Sequence, residues 1–175
     1  MEKPEQIALS EGKKYGINEA MVIYTSKIDV KDFVALKCKY GCSRYGKSHS
    51  CPPNTPSPDE TRRILDEYKK ALLVGGEVRG GFSGQLKISA GILAVERALF
   101  LNGYYKAFGM TSGSCIFCEE CAYPRKEPCN FPEKCRPSME GMSIDVFSTL
   151  KKFKKNLDII RDRKKFISYG LILLE

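Results

Sequence analysis

Eight of the 175 residues are cysteines, and they fall into two groups. Cys38, Cys42 and Cys51 form the first, spaced Cys-x3-Cys-x8-Cys-Pro-Pro. Cys115, Cys118, Cys121, Cys129 and Cys135 form the second, which opens Cys-x2-Cys-x2-Cys. Unligated structural cysteines behave as small buried hydrophobes and would be scattered along apolar stripes. These sit instead in two stretches, 38–58 and 111–143, that read as loops rather than as helix or strand. The N-terminal stretch MEKPEQIALSEGKKYG is charged and lacks the apolar segment of a secretory signal. No apolar run approaches the roughly 20 residues of a membrane helix, so the expected location is the cytoplasm, away from any membrane. In a reducing compartment, grouped cysteines point to metal or redox chemistry rather than to disulfides.

The second group carries the sharper signal. Three cysteines two residues apart let a short loop wrap three corners of one iron–sulfur cubane, as ferredoxin runs do, with Cys129 the nearest fourth ligand. Zinc favours two separated pairs around a tetrahedron, and a third equally spaced thiolate would crowd the first pair. A structural zinc site remains the alternative. The loop is no simple ferredoxin module, because seven residues separate Cys121 from Cys129 and Asn130 follows in place of proline.

The first group offers three thiolates and needs a fourth ligand or leaves one iron open. The Cys-x3-Cys-x2-Cys of radical-generating enzymes is excluded, since Tyr45 stands at the third position. Cys135, left over from the second group, is the candidate fourth ligand. His49, the only histidine, is a further possible ligand, though the thiolate count suffices without it. With one histidine and no paired-carboxylate motif, classical hydrolase chemistry is not expected.

Formal net charge is +8, but that count treats cysteines as neutral. Two cubanes of about −2 each would lower the total to about +4, so the excess partly balances an anionic site and gives little support to a nucleic-acid partner. The basic stretch 151–165, with Phe153, Leu157, Ile159 and Ile160 interleaved, reads as a docked apolar face with solvated lysines. The glycine-rich segment Val74–Gly84 matches no phosphate-binding fingerprint and reads as a strand-to-helix connection.

The elements that must position these loops alternate between helix and strand. Helices are expected over about 4–15, over 58–70 behind the capping box Ser57-Pro58-Asp59-Glu60, over 85–102 with Ile88, Ile92, Val95 and Leu99 at helical spacing, and after Asp145. The helix at 58–70 would show Ile64, Leu65, Tyr68 and Leu72 on its apolar face. Strands are expected at Ala20–Ile28, Ala71–Val78, Tyr104–Met110 and Phe166–Leu174. Strand, cysteine loop, helix and strand thus occur at 20–78 and again at 104–174. The expected fold is α/β (α+β): one domain over 1–175, a mixed sheet of about four strands with flanking helices, and both cysteine loops in one metal-bearing lobe.

Two phrases, Cys38-x3-Cys42-x2-Tyr45-Gly46-x4-Cys51-Pro52-Pro53 and Cys115-x2-Cys118-x2-Cys121-x7-Cys129, are followed by Arg136-Pro137-Ser138-Met139-Glu140 and Gly141-x2-Ile144-Asp145-Val146. Together they resemble a domain-of-unknown-function family of anaerobic archaea and bacteria described as predicted metal-binding proteins. The resemblance implies Cys38, Cys42, Cys51, Cys115, Cys118, Cys121 and Cys129 as metal ligands and does not extend to Cys135. The expected function is electron transfer, or a redox accessory role with a partner protein, using one or two [4Fe–4S] clusters. The rival expectations are a zinc-stabilised interaction module and a redox enzyme with an open iron, for which Tyr40, Arg44, Tyr45 and His49 would line a pocket by the first loop.

Overall fold

The structure, a computed structural model, describes residues 2–155, 157 and 164–175. Five α-helices and four strands form an α+β fold. Helix α1 (Pro4–Gly12) starts with proline in its first turn and is closed by a 3-10 turn, Lys13–Tyr15, and by Gly16 at φ 89°. Strand β1 (Ile17–Tyr24) begins three residues earlier than expected and ends earlier. Helix α2 (Asp32–Gly41) was not legible as a helix. Only Val34 of it is buried, while Phe33, Leu36 and Tyr40, which recur at helical spacing, lie exposed. Helix α3 (Pro58–Asp66) has the full capping box, Ser57 accepting from the Glu60 amide and the Glu60 carboxylate accepting from the Ser57 amide. It stops at Asp66, and Leu72 belongs to strand β2 (Lys70–Arg79). Helix α4 (Phe82–Leu101) is followed by strand β3 (Phe108–Met110), helix α5 (Val146–Lys152) capped by Asp145, and strand β4 (Lys165–Leu173).

The sheet order is β1-β2-β4-β3, and every strand pairing is antiparallel. The expected mixed sheet is corrected on this point. Tyr24 pairs with Lys70, so the excursion through residues 25–69 starts and returns at one end of the sheet. Met110 pairs with Leu171, and the excursion through 111–164 leaves there and returns at Lys165, which pairs with Arg79 at the opposite end of the sheet. The order reads alike from either edge: the first strand of each unit lies outside and the second inside.

Side chains alternate across the sheet, as strand geometry requires. Leu72, Val74, Val78 and Ile172 face Ile88, Ile92, Val95 and Leu99 of α4, with Ile7 and Ala8 of α1. A Cβ on Gly76 would lie 2.2 Å from the Gly16 carbonyl oxygen, and one on Gly170 would lie 2.3 Å from Ile92 Cδ1. Close packing of the helices on the sheet therefore accounts for Gly76 in the glycine-rich segment, and no phosphate is needed to explain it. The other face, with Ile23, Ala71, Leu73, Met110, Leu171 and Leu173, packs against Leu65, Met139, Met142, Ile144, Val146 and Leu150. Both cysteine-bearing excursions fold over this second face. Each Leu, Ile or Met buried there contributes about 1.5–3 kcal/mol by leaving water, which holds the cysteine lobe to the sheet. No described helix is long and apolar enough to cross a membrane.

Candidate metal centre

The first excursion delivers its thiols from three local structures. Cys38 lies in the last turns of α2, a correction to the expectation that every cysteine sits outside helix and strand, and Cys42 is the exposed residue at that helix's C-terminus. Cys51 lies 8% exposed in a tight turn, with Asn54 N–H donating to the Cys51 carbonyl at 3.0 Å and Asn54 Nδ2 to the Ser48 carbonyl at 2.9 Å. The helix is tied to the second excursion by Lys31 N–H donating to Ser143 O at 2.9 Å and by a Val30–Ile144 bridge. The Cys38 thiol points at the Glu140 carbonyl, 3.9 Å away. Burial pushes the Cys38 thiol up, and the neighbouring Cys42, Glu140 and Cys51 add to it. Cys51 is likewise raised, by burial first and against a hydrogen bond from Ser48.

The second excursion is closed at its base by Thr111 N–H donating to Pro137 O at 2.9 Å and by a Thr111–Ser138 bridge. This closure brings Cys135 back to Cys115. A hydrogen bond from Cys135, followed by one from the Phe117 amide and by the charges of Arg44 and His49, overcomes burial and lowers the Cys115 thiol to about 6. Cys135 is pushed up strongly, through the same bond to Cys115 and through burial, with Cys129 adding to both effects. Cys118 is raised by burial and by Cys115, Cys129 and Cys121. For Cys121 burial is again the largest influence, but hydrogen bonds from the Tyr123 and His49 amides and from Ser48 together outweigh it and lower the thiol. Cys115 thus lies near Cys118, Cys121 and Cys135, and Cys129 near Cys118 and Cys135.

Residues 44–50 join the two groups. Arg44 donates through Nη2 to Cys115 O at 3.1 Å and through Nε to Ser114 Oγ at 3.4 Å. The His49 Nε2 is 2.9 Å from Glu127 O, and its ring meets the Tyr123 ring edge-on at 5.2 Å. Ser48 and Ser50 are buried with their hydroxyls 3.2 Å apart, and Ser50 Oγ accepts from the Cys115 amide at 3.3 Å. Ser48 lies beside a sulfur of each group, Cys51 and Cys121, and its single hydroxyl proton can serve one of them at a time. These linking serines were missed in the sequence, where the only signal was a run of small polar residues ahead of Cys51.

The placements can be set against the expected roles. Cys38, Cys42 and Cys51 come together, as do Cys115, Cys118, Cys121, Cys129 and Cys135. Cys135, the candidate fourth ligand of the first group, lies beside Cys115 and Cys129. The His49 ring is a tie to the Glu127 carbonyl. Tyr40 is 77% exposed, and a cavity of about 320 Å³ opens beside His49 and Cys135, above Ile64, Tyr68 and Phe108, without Tyr40, Arg44 or Tyr45 in its wall. Of the basic stretch 151–165, residues 156 and 158–163 lie outside the described residues. Among the rest, Lys152 pairs with Asp29 at 2.7 Å, Lys155 with Glu19 at 2.5 Å, and Phe153 and Leu157 pack on the core.

Chemically, two sets of soft thiolate donors suit thiophilic metals such as zinc, copper(I) and iron–sulfur clusters. Among the described residues no three His, Cys, Asp or Glu side chains are drawn in to the spacing around one metal ion. The donor set itself fits a cluster in ligand type, and the amides of Phe117, Tyr123 and His49 supply the sulfur-directed hydrogen bonds that tune such centres. No curated protein and no solved structure matches the chain. The family model described as "predicted metal-binding protein (DUF2284)" matches residues 21–174, both cysteine groups included, and the chain belongs to that family.

Proposed function

We propose that the chain is an iron–sulfur protein that passes electrons to or from a partner protein, with Cys115, Cys118, Cys121 and Cys129 holding one [4Fe–4S] cluster and Cys38, Cys42 and Cys51 contributing to a second. The observation that carries this reading is the closure of the second excursion by Thr111 and Pro137, which sets its five cysteines in one loop tied by Arg44 and Ser50 to the turn that holds Cys51. A cluster bound there would take up or release one electron at a time, at a potential set by hydrogen bonding and exposure. The chain's own contribution is to orient the sulfurs, to shelter Cys51 from water and, through Ser48, to link the two sites. Cys135 stands beside the second group as a proton donor to Cys115.

The test is anaerobic purification or reconstitution followed by iron, sulfide and zinc analysis. A brown protein with near eight irons and matching sulfide supports two clusters, and about four supports one. Zinc without sulfide overturns the proposal in favour of a structural zinc module.

A second reading, a redox enzyme with an open iron, is favoured by the first group alone. It assembles three thiols, and the exposed Cys42 leaves its edge open to solvent. A shift of that centre's electron-spin resonance on adding a small anion such as cyanide would support this reading.

A further inference from the structure

Helix α2 has two faces of different character. At 100° per residue, Val34 and Cys38 share the side turned toward the lobe, where Val34 is buried and Cys38 reaches the Glu140 carbonyl. Phe33, Leu36 and Tyr40 fall within about 60° of one another on the opposite side. They are 44%, 56% and 77% exposed, an unpartnered apolar stripe of large side chains on one short helix. Scattered exposed hydrophobics are ordinary, but a contiguous patch rimmed by charge marks an interaction site.

The rim is basic. Lys37 Nζ lies 5.4 Å from the Phe33 ring centre and Lys39 Nζ 5.4 Å from the Tyr40 ring centre, so both ammonium groups border the stripe. Lys31 is exposed at the helix's N-terminal boundary. Among the described residues neither Lys37 nor Lys39 is ion-paired. Asp32, the one carboxylate of α2, is held by Arg62 at 3.0 Å. A second copy of the chain would bring the same lysines against each other across a two-fold contact. Leu36 adds an apolar bulge without stacking ability, and no arginine lies on the stripe, so single-stranded nucleic acid fits the face poorly.

We propose that the outer face of α2 is the docking surface for an acidic electron-carrier protein, with Phe33, Leu36 and Tyr40 as its apolar centre and Lys31, Lys37 and Lys39 as its steering rim. This deepens the electron-transfer reading and rests on it. The location suits that task, because Cys38 lies on the far side of the same helix, about 10 Å across, and the exposed Cys42 ends it. Apolar and aromatic centres hold such contacts, while rim charges set the encounter rate and its salt dependence.

The test is calorimetric titration of the metal-loaded chain with an acidic plant-type ferredoxin, with iron and sulfide measured on the same preparation. Saturable binding that weakens about tenfold as salt screens the rim supports the surface, provided K37E/K39E and L36S/Y40S each weaken it about tenfold or more and K37R/K39R restores it. Equal affinity in the charge-reversed chain, or no binding by the unaltered one, overturns it. So does dimerisation of the unaltered chain that L36S/Y40S abolishes, or displacement of the ferredoxin by polyuridylate. A preparation lacking iron and sulfide overturns the cluster reading separately, whatever the titration shows.

Discussion

The second cysteine group contains two thiols, Cys115 and Cys121, lowered by hydrogen bonds, whereas the first contains two, Cys38 and Cys51, raised by burial. In the second, hydrogen bonds directed at Cys115 and Cys121 lower both thiols, and Cys135 keeps its proton and donates it in a hydrogen bond to Cys115. In the first, burial and neighbouring sulfurs raise Cys38 and Cys51, and Cys42 faces solvent. The contrast follows from backbone. A loop without regular structure can turn its amides toward sulfur, but α2 spends its own on the helix and presents Cys38 without them. Metal binding at Cys38 and Cys51 must displace their protons, whereas Cys115 is already largely thiolate at neutral pH, so ligation at Cys38 and Cys51 should depend more steeply on pH than ligation at Cys115.

The most severe challenge to this contrast is to remove one ligand from each group. Cys121→Ser is expected to abolish the metal of the second group, about half of the total, and leave the first loaded; Cys38→Ser should do the reverse. Metal and sulfide content per chain are the readouts, and loss of all metal from either single variant would mean one shared centre. Cys135→Ser should spare the first group, and if it emptied that group, Cys135 would be its fourth ligand after all.

A smaller effect separates the anchoring of the two loops. Arg136, next to Cys135, donates to both carboxylate oxygens of Glu96 on α4, at 2.9 to 3.2 Å, and both side chains are largely buried. Arg136→Ala should strand the Glu96 charge and cost about 3 kcal/mol, read from the urea midpoint. Arg62, which ties the first excursion through exposed pairs with Asp32 and Asp59, should leave the midpoint near its original value when changed to alanine.

The smallest expected effect is the difference in reactivity of the metal-free thiols. At pH 7 a thiol lowered to about 6 is mostly thiolate, while one at its usual 9.0 or above is about a hundredfold less ionised. Lower nucleophilicity returns much of that gain, leaving Cys115 roughly fivefold faster than Cys38 toward an aromatic disulfide reagent. The stability linkage has opposite signs at Cys115 and at the Cys38 and Cys51 pair. The Cys115 thiolate's contribution is complete above the unfolded value of 9.0 and is lost as pH falls through about 6. The Cys38 and Cys51 thiols contribute below 9.0, and that contribution is lost as pH rises through their elevated values. Peptide mapping after partial labelling checks the order of reaction.

What could be read beforehand divides by range. The Ser57–Glu60 capping box, the stripe of α4 and the apolar run of β4 depend on neighbours a few residues away, and each was legible. Helix α2 was missed although Phe33, Leu36 and Tyr40 recur at helical spacing, because its ten residues begin without a capping side chain. Strand direction was not legible, because an excursion as long as 25–69 can return at either end of a sheet. The division of the cysteines into two groups was visible in their spacing, but the partner of Cys135 was not. That pairing is decided by the Thr111–Pro137 closure, a tertiary contact. The buried serines escaped for the same reason, since only folding shows that Ser48 touches sulfur on both sides.

The order of the strands also governs how the polypeptide matures. Strand β4 lies between β2 and β3 and holds them together, yet it follows all eight cysteines in the chain. Every thiol is thus synthesised before the platform that will shelter it can close. During that interval the nascent protein depends on the reducing power of its surroundings, and an oxidant present then could join sulfurs of one group to sulfurs of the other before the fold has sorted them.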